Sequence, residues 1–135
     1  MVFLTRRARF NAAHKLWVNE WTAEKNQEIF DKCANENFHG HNYTLYVTVK
    51  GEPDPVTGML INAKHLAKII KEEVTEKLDH KNLNLDVDFI PSGMQTTCEN
   101  LSILIWQRIE PKLKQCKLHS VRLEETENIY TEYYG

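Results

Sequence analysis

Between His41 and Glu52 the chain reads HNYTLYVTVKGE, and the alternation in this stretch restricts the fold more than any other feature. Tyr43, Leu45, Val47 and Val49 fall on one side of an extended chain, and Thr44, Tyr46 and Thr48 fall on the other. Such a stretch is a half-buried β-strand, so one of its faces needs a cover. A weaker alternation begins the chain in VFLTRRARFNAAH. It sets Phe3, Thr5, Arg7 and Arg9 opposite Leu4, Arg6, Ala8 and Phe10. Its charges give this strand a wet or interface-facing side. EPDPVTGM breaks the second strand with two prolines and a glycine.

Past Asn62 the period changes. Leu66, Ile69, Ile70, Val74 and Leu78 recur at helical spacing, with Lys and Glu between them. Thr96 opens a Thr-x-x-Glu capping box with Glu99, and Leu101, Leu104, Ile105 and Ile109 form the apolar face of a second helix, which Pro111 ends. HSVRLEET and IYTEYYG are two short closing strands. Residues 17 to 37 are a polar loop with room for a short helix, and LNLDVDFIPSGMQ is a loop. The order is β-β-α-α-β-β: an α+β class with a four-stranded antiparallel sheet and two helices. Length suits one domain over residues 1–135, with no repeat and no low-complexity linker. A sheet this small has exposed edges. Edges of that kind are usually covered, closed or shared, which argues for a homo-oligomer that joins sheets.

Composition narrows the function. A formal net charge of −2 with mixed signs argues against a broad nucleic-acid footprint, though not against a local anion pocket. No stretch approaches the roughly 18 apolar residues of a membrane span. The start does not read as a signal peptide, and three cysteines without a CxxC suit a reducing compartment, with the cytoplasm as the default.

His39 and His41 are one residue apart at the mouth of the second strand, so an extended backbone turns both imidazoles to one side. His14 ends the neighbouring first strand. Three histidines with a fourth position open make a catalytic zinc arrangement; ordinary packed or solvated histidines are the alternative, and spacing leaves both open. His65 and His119 read as solvated or packed side chains. Cys33, just before the two histidines, is a fourth ligand, a base or a buried thiol. Asp79-His80 closes the first helix either as a proton relay or as a histidine placed favourably on the helix dipole. Glu125, near a strand end, carries little weight alone.

Taken together, FNAAHKL, CANENFHGHNYTLYVTVKGEPDPVTGM, LDHKNLN, TCENLSILIW and VRLEET resemble the 6-pyruvoyl-tetrahydropterin synthase / 6-carboxytetrahydropterin synthase family over nearly the whole chain. The resemblance implies the tunnelling fold, in which three subunits close a barrel and two trimers stack into a homohexamer. It implies His14, His39 and His41 as zinc ligands and Cys33 as the proton-abstracting base. It implies Asp79 and His80 as a relay pair contributed from a neighbouring subunit. Glu125 corresponds to the pterin anchor, and Thr97 and Glu99 to the second wall of the pterin pocket, with Thr96 an alternative to Thr97. The implied substrate is 7,8-dihydroneopterin triphosphate, with zinc as cofactor and magnesium as a candidate companion of the triphosphate. The implied reaction is a lyase step towards tetrahydrobiopterin that yields 6-pyruvoyl-tetrahydropterin. The alternative product is 6-carboxy-5,6,7,8-tetrahydropterin, towards queuosine. Five residues separate Cys33 from His39, which resembles the first branch rather than the second. Arg6, Arg7, Arg9, Lys15 and Lys81 are unassigned candidates for the triphosphate.

Overall fold

The alternating stretch forms the centre of the sheet, as its pattern requires. In the computed structural model, which describes residues 1–135, β1 (Val2–His14) and β2 (His39–Gly51) pair antiparallel along their full length, with His14 opposite His39 and Phe10 opposite Tyr43. Tyr43, Leu45, Val47 and Val49 are buried together, as the alternation predicts. Two helices cover that face. One, α2, runs α over Ala63–Ile70, π over Lys71–Thr75 and α again over Glu76–Leu78; the other, α3, spans Cys98–Ile109. Leu66, Ile70, Val74, Leu78, Leu101, Ile105 and Ile109 drive into one core against the sheet. Truncating any of these leucines or isoleucines to alanine costs about 2–5 kcal/mol.

The sheet has five strands rather than four, and it is not purely antiparallel. The extra strand, β3 (Lys81–Asn82), pairs parallel to Ala12 and Ala13 of β1. Two residues carry no periodicity, so only tertiary placement reveals them. The order is β3-β1-β2-β4-β5, with β4 at Lys117–Thr126 and β5 at Ile129–Tyr133. A third helix, α1 (Ala23–Phe30), occupies the polar loop; Thr22 caps it by accepting from the Lys25 amide at 3.1 Å. The four-stranded, two-helix expectation is corrected on these points, while the α+β plan stands. No helix is long and apolar enough to cross a membrane.

The capping-box expectation also shifts by one residue. Thr97 is the N-cap of α3, with its hydroxyl accepting from the Asn100 amide at 3.3 Å. Thr96 is drawn inward by His14, so it cannot cap, and Glu99 lies exposed on the first helical turn. The helix-free face of the sheet is more polar. Thr5 and Thr48 hydroxyls meet at 2.8 Å, and the Arg122 guanidinium stacks over the Tyr130 ring at 3.6 Å.

A histidine cluster at the end of the sheet

Register delivers the imidazoles. Ala12 pairs with His41 and His14 with His39, so side-chain alternation turns His14, His39 and His41 to the helix-covered face at one end of the strands. Their ring centroids lie 4.5 Å (His14–His39), 5.0 Å (His14–His41) and 4.8 Å (His39–His41) apart. Glu125 completes the group: one ligating atom from each of the four residues falls within 4.8 Å of the others. A β-bulge puts it there. Glu124 pairs with Tyr130 and Thr126 with Ile129, leaving Glu125 without a cross-strand partner. Its Oε1 lies 2.9 Å from His41 Nε2 and 3.9 Å from His14 Nε2. The 2.9 Å approach lacks hydrogen-bond alignment, and His41 Nε2 counts as unpartnered.

The protonation states suit a cation. His14 is 1% exposed, and its Nδ1 lies 2.8 Å from the Thr96 carbonyl. A carbonyl only accepts, so Nδ1 carries the hydrogen and Nε2 presents its lone pair to the cluster. Burial lowers the His14 pKa to about 4, against the opposing bond to Thr96, and His39 and His41 lower it further. Burial, then His41, depresses His39 as well. Both rings are therefore neutral at pH 7, the form that binds metal. His14 Nε2, both His39 nitrogens and His41 Nε2 are buried without a hydrogen-bond partner. Each such group costs about 1–3 kcal/mol if nothing answers it. Three of them, one from each ring, can meet on a divalent cation.

Tyr43 lies below the cluster, its ring 5.6 Å from that of His41, with a buried hydroxyl that has no partner. Burial, then Glu125, pushes its phenol well above the ordinary range. Sequence reasoning placed Tyr43 in the core and missed its position; the signal was its parity with His41 on one strand.

Cys33 sits half-buried in a 3₁₀ turn, Asp31–Ala34, that follows α1. Burial raises its thiol pKa, and the charges of Glu125 and Asp31 raise it further. The same glutamate thus acts on both the thiol and the histidines. Asp79 and His80 form a separate pair on the edge of β1. His80 Nδ1 lies 2.8 Å from Asp79 Oδ2, Asp79 Oδ1 accepts from the Asn11 amide at 2.8 Å, and the His80 amide donates to the Asn11 carbonyl at 2.6 Å. The Asn11 bond, then His80, holds the Asp79 carboxyl below its usual range. The His80 side chain is 78% exposed and belongs to no buried cluster of its own chain. Thr97 and Glu99 start α3 one and three residues past Thr96, and the Thr97 hydroxyl is committed to the cap.

Backbone strain marks the same places. The non-glycine residues with positive φ are Asp31, Phe38 and His80. One lies two residues before Cys33, one directly before His39, and the third is His80 itself. Each such residue costs about 1–3 kcal/mol and persists only where its surroundings hold it.

The family model described as "6-pyruvoyl tetrahydropterin synthase" matches residues 3–135. A 6-pyruvoyl tetrahydrobiopterin synthase from Dictyostelium discoideum is 46% identical over 134 residues, spanning 99% of this chain and 96% of that protein. The Homo sapiens protein of the same name is 41% identical, spanning 98% of this chain and 90% of its own length. The structure of Caenorhabditis elegans 6-pyruvoyl tetrahydropterin synthase superimposes with a TM-score of 0.91 at 35% identity, covering 99% of this chain and 95% of that one. The register, the bulge and the helix cover seen here therefore sit in a known fold, and the chain belongs to the 6-pyruvoyl tetrahydropterin synthase family.

Proposed function

We propose that this enzyme is a zinc-dependent lyase that converts 7,8-dihydroneopterin triphosphate to 6-pyruvoyl-tetrahydropterin with elimination of triphosphate, towards tetrahydrobiopterin. The observation that carries the reading is the group of three imidazoles, each with a buried nitrogen that has no hydrogen-bond partner, beside Glu125 on a chain of this family.

His14, His39 and His41 hold the cation, and Thr96 orients the His14 ring. A three-histidine set favours zinc. When bound, that cation supplies positive charge that polarises a substrate oxygen, acidifies the neighbouring carbon–hydrogen bonds and favours the Cys33 thiolate. Cys33 removes a proton from the substrate side chain. Asp79 fixes the His80 ring through Nδ1, which leaves Nε2 to pass a proton at the substrate. Glu125 accepts hydrogen bonds from the pterin's amino group and ring nitrogen, charge-assisted contacts that orient the ring. Thr97 and Glu99 form the opposite wall. The side chain is oxidised while the ring is reduced, so the step needs no external hydride acceptor.

The exposure of His80 supports a role for that residue in a neighbouring subunit's site. The outer side of β5, and the side of β1 facing away from β2 over residues 2–10, have no strand beside them, which supports assembly by edge pairing into a homohexamer. Light scattering checks the size. The reaction is tested by incubating the zinc-loaded protein with the pterin triphosphate and identifying products by mass spectrometry. Triphosphate plus 6-pyruvoyl-tetrahydropterin is expected; acetaldehyde plus a carboxylated pterin would assign the queuosine-type reaction instead. Cys33→Ala should lower turnover by about 10²–10⁴-fold with bound zinc unchanged.

A further inference from the structure

Beyond the end of β1, residues 15 to 18 continue as a segment without regular secondary structure, which no backbone strand flanks. Side-chain amides take the strand's place. The Lys15 amide donates to Asn84 Oδ1 at 2.9 Å, and Asn84 Nδ2 donates back to the Lys15 carbonyl at 2.9 Å. The Trp17 amide donates to Gln95 Oε1 at 3.0 Å, and Gln95 Nε2 returns to the Trp17 carbonyl at 2.8 Å. The Val18 amide donates to Asn26 Oδ1 at 2.8 Å, and Asn26 Nδ2 returns to the Val18 carbonyl at 2.9 Å. A carboxamide is planar and offers one acceptor and one donor side by side, as a peptide group does. Three carboxamides thus zip this segment from three points. The remaining amide, that of Leu16, donates to the Cys33 carbonyl at 2.8 Å.

The partners on the two sides of this strap lead to different parts of the site. Asn26 is fully buried on α1, the helix that runs directly into the Cys33 turn. Asn84 and Gln95 belong to the long loop that ends on Thr96, whose carbonyl holds His14. The strap itself is the continuation of His14. The thiol, the His14 ring and the loop that orients that ring are therefore all referred to one short length of backbone.

We propose that Asn26, Asn84 and Gln95 are positioning residues: by holding residues 15–18 they set where the Leu16 amide fixes Cys33 relative to the histidine cluster. The proposal rests on the reading of Cys33 as the base for its effect on turnover, but not for its effect on the thiol's place.

The test exchanges one donor for an acceptor at constant shape. Gln95→Glu and Asn84→Asp each remove only the returning N–H and face a carbonyl with a carboxylate oxygen. Asn84 is exposed, so its variant keeps a solvated charge and serves where Gln95→Glu fails to fold. Three quantities are read on the zinc-loaded protein: hydrogen exchange of the Leu16 and Trp17 amides, iodoacetamide labelling of Cys33 and Cys116 resolved by peptide mass, and kcat and KM on the pterin triphosphate. Exchange in the strap should quicken at least tenfold. Cys33 labelling should change at least threefold while that of Cys116 stays constant, and kcat should fall about tenfold with KM within twofold. Unchanged exchange overturns the proposal; so does faster exchange with Cys33 labelling and kcat both unaltered. A fully active Cys33→Ala enzyme would instead remove the base reading, while altered Cys33 labelling would still uphold the positioning.

Discussion

Glu73 and Glu125 are equally exposed, 19% each, and sit in opposite kinds of surroundings. Glu73 lies in the π turn of α2 and is answered on every side. Arg108 Nη2 reaches its carboxylate at 2.9 Å, Arg108 Nε takes its carbonyl at 2.6 Å, Lys112 Nζ stands 3.2 Å away, and the guanidinium stacks over Phe89 at 4.2 Å. Glu125 faces imidazoles that are depressed towards neutrality or left without a hydrogen bond. The first cluster is complete, and its work is to tie α2 to α3. The second is incomplete on protein atoms alone. Buried polar groups with partners hold a fold together, and a set of them without partners marks where something else binds.

That contrast breaks most visibly if the histidines are removed. Loss of an outer partner of a metal ligand costs about 10–100-fold in affinity or activity, so His39→Ala should exceed it, with turnover falling by at least about 10³-fold. Bound zinc, measured by atomic emission, should drop with it. A variant that keeps full zinc and turnover would place the cation elsewhere.

Acid provides the next largest effect. In cation-free protein His14 titrates at about 4 instead of 6.5. Between those values the unfolded chain binds a proton that the folded chain does not. Stability is then complete above about pH 6.5 and declines as the pH falls towards 4, by up to about 3 kcal/mol. Urea unfolding at pH 7.5 and 4.5 reads the difference. Saturating zinc should raise stability at the higher pH, by about 2.7 kcal/mol at a hundredfold excess over Kd. A flat pH profile without zinc would mean that His14 is not buried neutral in solution.

Arg108→Ala sharpens the comparison from the other side. It leaves Glu73 without its main partner and strips the face of Phe89, which should cost about 1–3 kcal/mol. Zinc content should not change, because the complete cluster contributes structure and no ligand. Zinc lost in step with stability would show that the two clusters are coupled through α2.

Much of this was readable beforehand, for identifiable reasons. Parity along β2 and the end of β1 puts the histidines on one face, which alternation makes legible; the register that sets His14 opposite His39 is not, because a two-residue slip would keep every face unchanged. The apolar face of α2 was legible through Leu66, Ile70, Val74 and Leu78, yet its π turn was not, since no proline or glycine announces it and Arg108 meets it only in three dimensions. Thr96 and Thr97 are equivalent as sequence; His14 decides between them by taking the Thr96 carbonyl. The amide strap was invisible because Asn26, Asn84 and Gln95 look like ordinary loop and helix polarity until the backbone they hold is seen. Glu125 could be placed near a strand end, but only the bulge turns it onto the histidines.

Glu125 is also where the smallest effect carries the finest distinction. Its carboxylate is placed to be a fourth cation ligand, which would fill the open position, or to leave that position free and accept from the pterin. Glu125→Gln keeps the shape, retains one acceptor and removes the charge. If the carboxylate anchors the pterin, a charge-assisted bond becomes a neutral one and KM should rise about tenfold, equivalent to about 1.4 kcal/mol, while zinc content holds. If it ligates, zinc affinity should fall first and KM should follow only through lost metal. The thiol separates the two independently. Glu125 helps to raise the Cys33 pKa, so removing its charge should shift the pH dependence of Cys33 alkylation downward in cation-free protein. That shift is expected under either role, and its absence would mean that Glu125 and Cys33 do not share a site.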